Sequence, residues 1–190
     1  MKWTFLNFFF MMSTREMKRL GINVYNQKNI PPLYQTKEHI IPKSIFRRST
    51  HANQWNNLIS CDKFTNTIRT DYRLGDPLTY KDLFLEYREY RSSNQSNKLV
   101  SIHPKIPCKL VVDSTGNVSG VLDRIQRIFY PSLDADMGLL SRSIIEMLHQ
   151  YPYLYASMDR IVSDVRLLHN YYDLPKTNLE IEREMLYDQK

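Results

Sequence analysis

Apolar residues in the second half of the chain recur at helical intervals. Val121, Ile125, Ile128 and Phe129 stand at i, i+4, i+7 and i+8, and Leu140, Ile144 and Leu148 repeat in the same way. Ile161, Val165 and Leu168 mark a third stripe. These spacings predict helices whose apolar faces enter a core. A last helix is expected from "PKTNLE" (175–180), where Thr177 and Glu180 fit a capping box behind Pro175. The pattern changes upstream. "CKLVVD" (108–113) reads as a short buried strand closed by the "STGN" turn. "LTYKDLFLEYREYR" (78–91) suits an amphipathic helix or a hairpin about equally.

Three shorter pieces precede it. "TKEHIIPKSIF" (36–46) reads as a strand stopped by Pro42, and "NNLIS" (56–60) as a short return strand. "CDKFTNTIRTDY" (61–72) reads as a helix started near Asp62, which is expected to act as its N-cap. Asn66, Arg69 and Arg73 would then share one side of that helix. Pro31 and Pro32 enforce an extended path that closes an N-terminal arm, residues 1–35. Gly75 and Pro77 in "LGDP" act as a stop, and "SSNQSN" (92–97) is a polar loop. No internal repeat is visible.

At 190 residues, 42% hydrophobic and 24% charged, the chain fits one compact domain with a real core, or such a domain with an appended element. A net charge of +6 favours polyanionic partners. Cys61 and Cys108 are the only cysteines, too few for a disulfide framework or a cysteine-rich zinc site, and they suit a reducing compartment. Lys2 before the apolar run 3–12 has the outline of a signal peptide, but no small-residue cleavage site follows. That run is too short to span a bilayer as a helix and is expected to be buried or to face a partner.

Glu38 and His39 are the candidate chemistry. Neighbours on a strand point to opposite faces, so they would divide the work, one holding a metal ion and the other reaching a water beside it. A second ligand must come from elsewhere, and Asn66 can supply an amide oxygen. The alternative is an unremarkable surface strand. Lys43, Arg47, Arg48, Lys63, Arg69 and Arg73 surround the pair in sequence and read as phosphate contacts on such a site, or as solvated surface without one. His51 is expected in a solvated loop. The rings of "LFLEYREY" and "YPYLYASM" read as core packing before base stacking.

These residues also carry a resemblance. "EHIIPKS" (38–44), "NNL" (56–58) and "NTIR" (66–69), with Asn66 nine positions after Asn57, resemble the HNH or ββα-metal (His-Me finger) nuclease superfamily, and within it the endonuclease I family. "GVLDR" (120–124) is similar to that family's glycine-to-arginine helix start, and "PKTNLEIER" (175–183) to its late P-x-T-x-x-E-x-x-R stretch. Gln54 stands where the family often has an acidic residue.

The resemblance implies an α+β fold, with a ββα-metal finger at 36–75 embedded in a mixed nuclease domain (36–190) whose C-terminal half is mainly helical. It implies a metal-dependent endonuclease acting on nucleic acid, DNA preferred over RNA, with little sequence specificity, leaving 5′-phosphate and 3′-hydroxyl ends. Position by position, His39 becomes the general base and Glu38 and Asn66 the ligands of one divalent ion, magnesium first, with manganese or calcium as alternatives. Asn57 would tie down the loop between the strands, and Arg69 and Arg124 would contact phosphate. Glu180 and Arg183 are expected to cap and pair within the last helix. Two other readings stay open: a site-specific HNH endonuclease, and a non-catalytic nucleic-acid-binding protein that keeps the fold.

Overall fold

The computed structural model describes residues 20–92 and 108–188. The apolar run 3–12 and nearly all of the polar stretch 92–97 lie outside them. The chain is α+β. β1 (Gln35–His39) leads through the short helix α1 (Ser49–Ala52) to β2 (Leu58–Asp62), and α2 (Lys63–Arg69) follows at once. β3 (Arg73–Leu74) precedes α3 (Lys81–Ser92), then β4 (Cys108–Val112), β5 (Val118–Asp123) and β6 (Ile128–Pro131). Helices close the chain: α4 (Met137–Gln150), α5 (Met158–Ile161), α6 (Arg166–Tyr172) and α7 (Asn178–Asp188).

β1 and β2 form an antiparallel pair that sets Glu38 opposite Ile59 and His39 opposite Leu58. The second sheet runs β3-β6-β5-β4, antiparallel except where β3 meets β6. Asp62 starts α2, its carboxylate accepting from the amides of Phe64 at 2.9 Å and Thr65 at 3.3 Å. The helix stops at Thr70, whose backbone has φ 50° and ψ −119°. Arg73 therefore lies on β3, outside the helix side expected to carry it.

Residues 118–131 depart most from the helical expectation. Val121, Ile128 and Phe129 are buried, but on two strands of a hairpin, and Ile125 at its tip is 75% exposed. Asp123 makes the turn, accepting from the amides of Ile125 and Gln126, both at 2.9 Å. Gly120 lets the strands close up, since a Cβ there would come within 2.4 Å of the Tyr130 carbonyl oxygen. "GVLDR" is thus strand and turn. The mainly helical region begins only at α4.

The stripe at Leu140, Ile144 and Leu148 lies buried on α4. The third stripe divides: Ile161 ends α5, Val165 is 52% exposed, and Leu168 is buried on α6. Helix stops there because Val162 bridges to Leu74 and the Ser163 amide donates to the Leu74 carbonyl at 2.7 Å. Residues 78–91 resolve as a 3-10 turn (Pro77–Tyr80) running into α3. On α7, Thr177 accepts from the Glu180 amide at 3.3 Å. Glu180 and Arg183 do not pair with each other. Glu180 takes Arg142 of α4, while Arg183 donates to Ser143 Oγ at 2.9 Å and the Trp55 carbonyl at 2.8 Å.

The main core gathers β2, α4 and α6 around Phe129, and Leu20, Val24 and Tyr25 belong to it. Residues 20–34 are therefore packed against the rest of the domain. Among the described residues, no helix is long and apolar enough to cross a membrane.

Candidate active site

The strand alternation of β1 separates its two candidate groups. Glu38 is 2% exposed and faces inward, while the His39 side chain is half-buried at the surface. Beyond His39 the chain is tied to the loop before β2 by Asn57. That side chain is fully buried, its Oδ1 accepting from the Ile41 amide at 2.7 Å and its Nδ2 donating to the Ile41 and Ala52 carbonyls at 3.1 and 2.9 Å. All of its amide atoms serve the loop.

Glu38 sits in a buried network. The Tyr25 hydroxyl donates to its Oε1 at 2.8 Å, and Arg69 Nη1 donates to the same oxygen. Both bonds fall on Oε1, leaving Oε2 for another partner. Arg69 also donates to the His39 carbonyl at 3.0 Å and the Ile40 carbonyl at 2.8 Å, and its side chain is fully enclosed. The phosphate contact expected of Arg69 is not what this geometry offers. A guanidinium sealed from solvent holds the carboxylate and the end of β1 instead. Burial would depress its pKa, but the adjoining Glu38 carboxylate more than compensates and raises it. Burial pushes the Tyr25 phenol well up, so it stays a donor.

His39 Nε2 lies 2.9 Å from Asn53 Oδ1. An amide oxygen only accepts, so this contact is a hydrogen bond when Nε2 carries the proton, the neutral tautomer that leaves a lone pair on Nδ1. Asn53 is absent from any motif in the sequence. It precedes Gln54, the position where the resembled family often has an acid, and only the fold of the loop brings it to the ring. Asn66 Nδ2 donates to the Lys37 carbonyl at 2.8 Å, which fixes the amide and leaves its Oδ1 free of that bond.

Glu38, His39 and Asn66 line one pocket of about 330 Å³, with Lys43, Ser44, Thr70 and Asp71 at its edge. One carboxylate oxygen and one amide oxygen suit a hard cation that keeps most of its water, such as magnesium. Among the described residues, no three of His, Cys, Asp and Glu converge on a metal-sized site.

The basic residues scatter more widely. Lys43 is at the pocket. Arg47 and Arg48 are exposed, and Arg47 lies over the Tyr153 ring at 4.6 Å. Lys63 is exposed at the start of α2. Arg124 is exposed in the β5–β6 turn and does not line the pocket. Arg73 donates to the Asp159 carbonyl at 2.9 Å and the Gln126 carbonyl at 3.4 Å, in an adjoining basin. His51 is packed where a solvated loop was expected: it stacks on Tyr151 at 4.3 Å and bonds the Tyr153 hydroxyl at 3.1 Å.

Comparison of the chain with family models, with curated proteins and with solved structures finds no match in any of the three.

Proposed function

We propose that the chain is a metal-dependent endonuclease that hydrolyses phosphodiester bonds in nucleic acid, DNA preferred, and leaves 5′-phosphate and 3′-hydroxyl ends. One observation carries this reading. Glu38, His39 and Asn66 line one pocket, with the His39 ring bonded through Nε2 to Asn53 and the Asn66 amide fixed by the Lys37 carbonyl, held there by a strand pair and a capped helix.

His39 Nδ1 takes a proton from the attacking water. The bond from Nε2 to Asn53 keeps the ring in the required tautomer and helps stabilise the imidazolium that forms. Glu38 and Asn66 are the residues that would hold magnesium, with manganese or calcium as alternatives. When bound, such an ion supplies charge stabilisation to the phosphate oxygens and to the departing 3′ oxygen. Arg69 and Tyr25 aim Glu38 and balance its charge. Lys43 adds a cation at the rim, where phosphate would enter. Contacts of this kind grip the backbone and do not read base edges, which fits weak sequence preference.

The test is nicking of supercoiled plasmid by purified full-length protein. Cleavage should need magnesium or manganese, stop with a chelator, and disappear in His39→Ala while DNA affinity is retained. Wild-type turnover in His39→Ala, or cleavage that survives chelation, sinks the reading.

A further inference from the structure

A second basin opens directly beside the candidate active site. It holds about 350 Å³ and shares Ser44 and Asp71 with the pocket of Glu38, His39 and Asn66, so the two adjoin along those residues. Three arginines line it, from three separate parts of the chain: Arg73 on β3, Arg127 in the β5–β6 turn and Arg160 on α5. Arg73 is bonded to two backbone carbonyls, which orient its guanidinium without cancelling its charge. Arg160 is exposed and makes no ion pair among the described residues. Arg127 alone has an anionic partner. It meets Asp71 at 2.6 Å, with the two side chains 62% and 46% exposed, and lies 5.3 Å over the Tyr72 ring.

We propose that this basin seats the phosphodiester backbone next to the cut bond, with Arg127 and Arg160 as phosphate contacts. In the free protein the Asp71 carboxylate occupies the place on Arg127 that a phosphate takes when nucleic acid binds. The exchange costs little, because an exposed aspartate–arginine pair is worth well under the energy of a buried one. A phosphate presents the same two-oxygen edge to the guanidinium fork that a carboxylate does. Asp71 stands on the rim shared by both cavities, so its charge opposes an incoming polyanion until Arg127 changes partner. The inference rests on the nuclease reading for the position of the cut, but its test reads binding alone.

The experiment is titration of a fluorescein-labelled DNA duplex with full-length protein in chelator, followed by anisotropy at several salt concentrations. Arg127→Ala and Arg160→Ala should each weaken binding and flatten the log–log salt slope by about 0.9, the release from one phosphate contact on duplex DNA. Asp71→Asn should tighten binding several-fold, and by less when Arg127 is already alanine. Lys176→Ala, which removes a surface cation of the α7 end, should change neither slope nor affinity. Thermal melts confirm that these exposed-site variants stay folded. Unchanged slopes in both arginine variants, or Asp71→Asn binding no tighter than wild type, overturn the proposal, as does wild-type protein that fails to bind the duplex. Plasmid nicking separates the two claims. A protein that nicks but shows no effect of the arginine variants loses the basin only. One that shows the arginine and Asp71 effects without nicking keeps the basin and loses the nuclease reading.

Discussion

Arg69 turns inward and serves the protein itself. Its guanidinium bonds one carboxylate and two main-chain carbonyls in a fully buried position, so truncation removes a donor from all three and leaves the Glu38 charge with only the neutral Tyr25 hydroxyl. Arg69→Ala should therefore destabilise the fold by about 3–5 kcal/mol, the usual cost of stranding one member of a buried ion pair. Arg69→Lys should recover only part, since one ammonium cannot span the same three acceptors. Urea denaturation decides this, and a wild-type midpoint in Arg69→Ala would contradict the structural role. Asn53 makes the opposite kind of residue-scale prediction, about rate and not stability. Asn53→Asp places a carboxylate against His39 Nε2, which favours the imidazolium over the neutral ring. A general base works only when neutral, so activity should be lost at a higher pH on the acidic side. The pH–rate profile of this variant measures the displacement, and an acidic limb at the wild-type position would mean that Asn53 does not control the base.

At the scale of elements, α2 is too short to persist alone. The Asp62 cap holds its start, and the Asn66 bond to Lys37 ties its middle to β1. Its end is the strained point. Thr70 has φ 50°, a backbone region that a β-branched side chain rarely enters, and it lies at the edge of the candidate pocket. Thr70→Gly should raise stability by about 1 kcal/mol, because relief of strain exceeds the extra freedom of glycine in the unfolded chain. Chemical denaturation of this single variant is sufficient, and a loss of stability would show that the threonine is held there without strain. The hairpin of β5 and β6 gives the complementary lesson. Gly120 and Asp123 carry turn and close-approach signals that outweigh the helical spacing of Val121, Ile125, Ile128 and Phe129.

Across the whole molecule, residues 20–34 act as a brace. The Val24 amide donates to the Ser60 carbonyl at 3.3 Å, and the Asp136 amide donates to the Val24 carbonyl at 2.9 Å, joining β2 to the start of α4. Asn23 Nδ2 donates to Ser119 Oγ at 3.1 Å and Asn26 Nδ2 to Asp113 at 2.8 Å, joining the same segment to the second sheet. Tyr25 completes the link by its bond to Glu38. A chain shortened to begin at residue 35 should therefore lose its cooperative unfolding transition, followed by circular dichroism on heating. Cooperative melting of that fragment would show that the brace is not needed for the fold.

What the sequence determined by itself was local. Pro42 after β1, the Asp62 cap of α2, the Leu140 stripe of α4 and the turn after β4 each depend on residues within a turn or two of one another. The strand pair that sets Glu38 beside the imidazole-bearing face, and the helix that follows it, were legible for the same reason. Tertiary structure alone decided the enclosure of Arg69, the Asn53 bond to His39, the union of Tyr25 with Glu38 and the joining of two cavities at Asp71. Spacing of apolar residues says which side chains want burial, but not which distant group closes over them. A helix and a tight hairpin can both bury Val121, Ile128 and Phe129, and only the strand registered against Gly120 and Leu122 selects between them.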